Sequence, residues 1–206
     1  IDKIVEQTGI VVDQNREWAG ASQNAEGVLR REIDIQNNDD VCDGIRLTGS
    51  SPTLFVYSPN TKVQPIIPVL YLEQNEQYLY YEYDSSGIDF NKPKYGWVID
   101  KSELNDFVSN IADELKLTSL EKERLGFEIN FSAVDVNSDK LFIGLIPQSE
   151  VDKQLPLKIE SPNKTSLLRY HFYIAEAKND KVKPPKLNPI QRAESLILEL
   201  GSWSEK

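Results

Sequence analysis

The chain has 206 residues, with 23 Lys and Arg against 33 Asp and Glu, a formal net charge of -10. That length buries a core without staples, while the charge repels phosphate backbones and anionic lipid surfaces, so nucleic acid and membranes are poor partners. A single cysteine, Cys42, excludes an internal disulfide framework and a zinc site built from several thiolates.

The first 50 residues stand apart from the rest. "TGIVVDQ" (residues 8–14) predicts a short strand, and "ASQNAEGVLRREI" sets Ala21, Ala25, Val28 and Leu29 on one helical face with Ser22 as N-cap. The acidic, turn-rich "DIQNNDDVCDG" then divides this segment from a β-rich body. From Pro52 the pattern has period two and favours β-branched and aromatic residues, which predicts strands in "TLFVY", "VLYL", "EQYLYYEY" and "YGWVI". Pro65 and Pro68 interrupt "VQPIIPVLYL". Each removes a ladder donor, so this segment is expected at a sheet edge or with a bulge.

In "DKSELNDFVSNIADELKL", Asp100 stands three residues before Glu103, like the start of a capping box. Leu104, Phe107, Val108, Ile111 and Leu115 then form one apolar stripe of a helix. "TSLEKERLG" begins a second, short helix with Thr118 as N-cap and Glu121 three places later. Alternation returns in "FEINFSAV", where Phe127, Ile129, Phe131 and Ala133 share a face, and continues through "KLFIGLI", "LPLKIE" and "LLRYHFYIA". The basic "KNDKVKPPK" has no interleaved aromatics and contains two prolines, so it reads as a solvated linker. A final helix is expected from Asn188, with Pro189 at its first position, to Gly201. The order predicts an α+β fold. A mixed segment over 1–50 precedes an antiparallel β-rich body with one or two packed helices over 51–177, and a linker with a C-terminal helix follows over 178–206.

In "YLYYEY" the alternation puts Tyr78, Tyr80 and Glu82 on one face and Leu79, Tyr81 and Tyr83 on the other. Seven of the nine tyrosines lie between Tyr57 and Tyr95. Flat apolar rings with polar tips suit a protein partner, a glycan or the rim of a core. Tyr78, Tyr80 and Glu82 are therefore the candidate partner-binding residues. A carboxylate among rings is partly desolvated, which raises its pKa and makes Glu82 the candidate general acid. Its plainer role is to pair with Arg169 or accept tyrosine hydroxyls. No second carboxylate at a recognisable glycosidase spacing accompanies it. The helix stripe at Leu104, Phe107, Ile111 and Leu115 needs an apolar partner. The Leu79, Tyr81 and Tyr83 face is nearest in sequence, so it is expected beneath that helix, leaving Tyr80 partly solvated.

"DVNSDKLFIGLI" begins as a calcium loop does, with Asp135, Asn137 and Asp139 at alternating positions. It departs from that pattern at Lys140, where the turn glycine belongs, and at Ile146, where the bidentate glutamate belongs. Calcium is the one cofactor these residues bring into view, and a plain turn is the competing reading. His171, the only histidine, alternates with Arg169 and Tyr173 on the more polar face of its strand. Nothing in the sequence brings it to Cys42 or to a serine as a nucleophile and base pair.

Four stretches, "SPTLFVYSPNTKV", "QYLYYEY", "YGWVIDKSELNDFVSNIADELKLTSLEKERLGFEINF" and "LPLKIESPNKTSLLRYHFYI", together resemble a family of uncharacterised bacterial proteins. Those proteins carry K-P-V-I-Y-L-Y-P-E-K-like and Y-L-F-W-E-like motifs. The likeness spans about Pro52 to Ile174. Tyr80 and Tyr81 stand at the family's aromatic pair, Glu82 at its glutamate and Arg169 at its arginine. Asn60, Asn163 with Lys164, and Phe131 depart from its pattern. The resemblance implies a shape and a bacterial envelope, secreted or cell-surface setting, and no particular reaction.

Two functions fit these features. One is a non-enzymatic extracellular or surface protein that binds a protein partner, copies of itself or a glycan. In it, "KIVEQTGIVVD" would serve as an arm that adds a strand to a sheet edge. The other is a glycan or peptide hydrolase centred on Glu82. The chain opens at Ile1 and holds no methionine, which fits a start set by leader cleavage or by trimming. No run of 18 apolar residues is present to span a bilayer.

Overall fold

The computed structural model describes residues 51–85, 87–178, 182–192 and 195–205, all within one compact unit, Thr48–Lys206. The strand, helix and arm expected within 1–50, and Cys42, lie outside the described residues. The elements run β1 (Thr53–Val56), β2 (Lys62–Pro65), β3 (Val69–Gln74), β4 (Leu79–Tyr83), β5 (Gly96–Asp100), α1 (Leu104–Leu115) and α2 (Ser119–Val134). There follow β6 (Lys140–Ile146), α3 (Gln148–Gln154), β7 (Leu157–Glu160), β8 (Ser166–Glu176) and β9 (Leu196–Ser204). The fold is α+β. Seven strands form one sheet in the order β3-β4-β1-β9-β8-β6-β5, and β2 with β7 forms a separate ribbon. Every pair is antiparallel except β8 with β9, which is parallel.

The pleat sorts side chains into two cores. Phe55, Tyr78, Tyr80, Leu198 and Leu200 join Leu104, Phe107, Ile111 and Leu115 of α1 and Leu125 and Ile129 of α2. Leu54, Leu79, Tyr81, Tyr83, Ile197 and Trp203 join Val151 and Leu155 at α3, with Val63, Leu157 and Ile159 of the ribbon packed against them. The tyrosine faces are thus the reverse of the sequence expectation. Tyr78 and Tyr80 lie under the helices, and Tyr81 lies under the ribbon. Nearness in sequence misleads because β5, which leads into α1, sits at the far edge of the sheet from β3 and β4.

Two elements also change type. The segment read as a C-terminal helix is irregular over 182–192 and becomes β9, whose nine residues are all buried. A central strand covered on both faces reads as an unbroken apolar run, which periodicity cannot tell from a buried helix. "FEINFSAV" is the second half of α2 rather than a strand. From Arg124 on, the buried positions of α2 are Arg124, Leu125, Glu128, Ile129, Ser132 and Ala133, adjacent pairs that recur every four residues as on a helix. Between these lie Phe127 and Phe131, stacked with ring centres 6.4 Å apart.

The helix ends agree with the sequence at Thr118 and differ at Asp100. Thr118 completes a capping box: its Oγ1 accepts from the Glu121 N–H at 3.3 Å, and its own N–H donates to Glu121 Oε2 at 2.7 Å. Asp100 makes no side-chain cap, and a 3-10 turn, Lys101–Glu103, leads into α1 instead. α1 stops at Lys116 in the left-handed conformation, φ 57°. No helix among the described residues is long and apolar enough to cross a membrane.

Candidate functional site

Tyr78, Tyr80 and Glu82 do share one face of β4, but that face is internal. Tyr78 is 4% exposed and Tyr80 is 5% exposed. The rings hold a cation of the protein's own. The Arg124 guanidinium carbon lies 4.9 Å from the Tyr78 ring centre, 5.1 Å from Tyr80 and 4.5 Å from Phe127. Arg124 donates from Nε and Nη2 to Thr53 Oγ1 at 3.1 and 3.0 Å, and Thr53 donates to Glu128 Oε1 at 3.2 Å. Glu128 sits one helical turn after Arg124, 3.8 Å away. The expected tyrosine platform is therefore a filled aromatic cage. Glu82 is half-buried and accepts the Tyr80 hydroxyl at 3.1 Å. Burial, with the Glu82 and Glu128 charges, pushes the Tyr80 phenol well above its ordinary value.

Arg169 does not meet Glu82, because it lies on the other face of the sheet. There its Nε donates to Glu199 Oε2, its Nη1 donates to Asp152 Oδ1 at 3.1 Å, and the Tyr81 hydroxyl donates to Glu199 Oε1 at 2.9 Å. His171 is fully buried beside them, with Nε2 3.5 Å from Glu199 Oε1. Its ring covers Gly201 on the neighbouring strand: a Cβ there would stand 2.7 Å from His171 Cε1. Burial pushes the Glu199 carboxyl up, but His171 and Arg169 outweigh it and hold the group at about 2. Sequence reading passed over Glu199 by placing it on a helix. The period-two spacing of Arg169 and His171 was the available signal.

Asp135, Asn137 and Asp139, the candidate calcium ligands, are exposed in the turn between α2 and β6. Asp135 Oδ2 accepts the Ser204 hydroxyl at 3.4 Å, and the Asp139 backbone carbonyl accepts the Lys101 N–H at 2.7 Å. Among the described residues, no group of three or more His, Cys, Asp or Glu side chains gathers where a metal could sit.

The two outer strands of the large sheet differ. At β5, the Gly96 N–H donates to the Lys183 carbonyl at 2.9 Å, so the Lys183 backbone meets one end of that edge. At β3, the only strand pairing among the described residues is with β4. Of the six exposed large apolar residues among those described, two lie on this strand, Leu70 at 39% and Leu72 at 43% exposure. The register shifts between Val69 and Tyr71, so Leu70 sits on a bulge and Tyr71–Gln74 is the regular part. The prolines before β3 thus signalled both features, edge and bulge.

The backbone of β3 can be oriented from two bonds. Leu72 stands opposite Tyr81, whose N–H donates toward β1, to the Pro52 carbonyl at 3.3 Å. The Asn75 N–H donates to the Tyr78 carbonyl at 3.0 Å, which fixes the same alternation from the hairpin end. Leu72 and Gln74 are therefore in wide, non-bonded positions relative to β4, and their N–H and C=O groups point outward. Among the described residues, no strand pairs with this side of β3, so the edge offers ladder groups with apolar side chains beside them. The chain matches no known family, no curated protein and no solved structure in comparisons of sequence and fold.

Proposed function

We propose that this is a non-enzymatic partner-binding protein whose binding site is the outer edge of β3, where a protein partner adds a strand to the seven-stranded sheet. The single observation that carries this reading is the outward N–H and C=O pair of Leu72, on a strand whose Leu70 and Leu72 side chains are exposed. An edge of this kind is ordinarily blunted by a proline, a lysine or a covering segment. Among the described residues, a backbone segment meets one end of β5 and none meets the outer side of β3. Main-chain bonds supply the affinity in strand addition, and neighbouring side chains supply the selection. The extracellular or cell-surface setting rests on the family resemblance alone. The arm expected in residues 1–50 carries no weight in this reading.

A fluorescent six-residue peptide of alternating valine and threonine tests the site without charge. Its anisotropy should rise on adding the protein, and the Leu72 amide should gain protection from hydrogen exchange. Leu72→Pro removes the outward donor and should weaken binding at least about tenfold, or roughly 1.4 kcal/mol. Absent binding, or equal binding to the proline variant, overturns the proposal.

A further inference from the structure

From Val63 to Asn91 the chain has no lysine or arginine, yet it carries Glu73, Glu76, Glu82, Asp84 and Asp89. This stretch contains β3, β4 and their connecting turn. Glu76, Asp84 and Asp89 are exposed, and Glu73 and Glu82 are half-buried. The two faces of the β3 edge also differ. On the ribbon side Leu72 is exposed at 43%, beside the bulged Leu70. On the helix side stand Tyr71 and Glu73, with Glu82 directly opposite Tyr71 on β4.

An added strand alternates its own side chains between these two surfaces. Resting on the proposed strand addition at β3, we infer that the partner is an extended segment of another polypeptide in which apolar and basic residues alternate. Its apolar residues lie beside Leu72, and its basic residues lie beside Glu73 and Tyr71. Opposite charges across neighbouring strands attract, like charges directly opposed repel, and an aromatic face beside a cation adds to the attraction. The same rule disfavours a second copy as the occupant. Pairing two β3 edges would bring two basic-free hairpins together, on chains that each carry a net charge of -10.

The test compares three six-residue probes by anisotropy at low ionic strength: valine alternating with threonine, with lysine and with glutamate. The lysine peptide should bind at least about tenfold tighter than the glutamate peptide, with the gap narrowing as salt screens the charges. The double variant Glu73→Gln with Glu76→Gln should shrink that gap several-fold. Leu72→Pro should weaken all three. If the lysine and glutamate peptides bind alike while the neutral peptide still binds, the inference about charge is wrong and strand addition stands. If no peptide binds, both fall together. Light scattering of the protein alone provides the last arm: self-association removed by Leu72→Pro would overturn the choice of a foreign segment in favour of a second copy.

Discussion

β9 and β3 belong to one sheet and put their polar groups to opposite uses. β9 lies between β1 and β8, all nine of its residues are buried, and its one carboxylate, Glu199, is held by Arg169, Tyr81 and His171. β3 is bonded along one side, half-buried, and flanked by acids with no basic residue in the surrounding stretch. At β9 the buried carboxylate is tied to its neighbours in the fold. In the proposed reading, what meets a partner is the backbone of an edge strand. If so, substitutions at the centre should destabilise the protein strongly, and substitutions of the outward-facing groups of the edge should act mainly on binding.

The largest effect is expected at Glu199. Replacing it with alanine leaves Arg169, which is 3% exposed, as a buried cation that keeps only Asp152. Breaking such a pair costs about 3–5 kcal/mol, and Glu199→Ala should fall at the upper end in urea denaturation. The paired change Glu199→Leu with Arg169→Met removes both charges and should recover much of the loss. If the double variant is as unstable as the single one, the centre is held by something other than charge pairing.

Next come the two tyrosines of β4. Tyr80→Ala empties one wall of the Arg124 cage, and Tyr81→Ala removes a donor to Glu199. Each should cost about 3–4 kcal/mol, as other large aromatic truncations in cores do. A mild Tyr80→Ala would show that its face is not the helix-covered core seen here.

Acid should reproduce part of the Glu199 loss without mutation. With the folded value held at about 2 against an ordinary 4.5, the folded state favours the ionised carboxylate. Its contribution is complete above about pH 4.5 and disappears as pH falls toward about 2, and it amounts to about 3 kcal/mol. Arg169, His171 and Tyr81 face this group, and Asp152 shares Arg169 with it, so Glu199→Gln serves as the reference. Its denaturation midpoint should fall less steeply over that range. Equal slopes in the two proteins would contradict the assignment.

The sequence made most of this architecture legible through strand-forming composition and local end signals. "VLYL" alternates and is the half-buried β3, the aromatic and β-branched residues of "EQYLYYEY" and "KLFIGLI" mark strands buried on both faces, Thr118 with Glu121 announces α2, and Pro65 with Pro68 marks an edge. It was illegible where burial removes the contrast. β9 is buried on both faces and its "LILEL" run also reads as a helix, and α2 buries Arg124 and Glu128 where apolar residues would mark its inner face, so the apolar residues of its second half fall into a false period of two. The site was half legible. Proline placed β3 at an edge, but the clustered tyrosines drew attention to a face whose partner, Arg124, comes from another element. Contacts between Thr53 and Glu128, or Tyr81 and Glu199, join residues far apart in sequence and leave no local signature.

The smallest stability effect is the most informative about β3. Two adjacent prolines in the same strand should behave differently, because alternate residues point their N–H groups to opposite sides. Glu73 pairs with Tyr80 in a bonded position, so Glu73→Pro removes a ladder bond to β4 and should cost about 3 kcal/mol. Leu72→Pro takes away only an outward donor at an edge, where proline is tolerated, and should cost under about 1 kcal/mol. Urea midpoints of the two variants, with amide exchange along β4, separate these outcomes. A Leu72→Pro protein as unstable as Glu73→Pro would mean that Leu72 bonds inward to β4. The edge would then have no free ladder at that position, and the docking of a partner strand there would lose its physical basis.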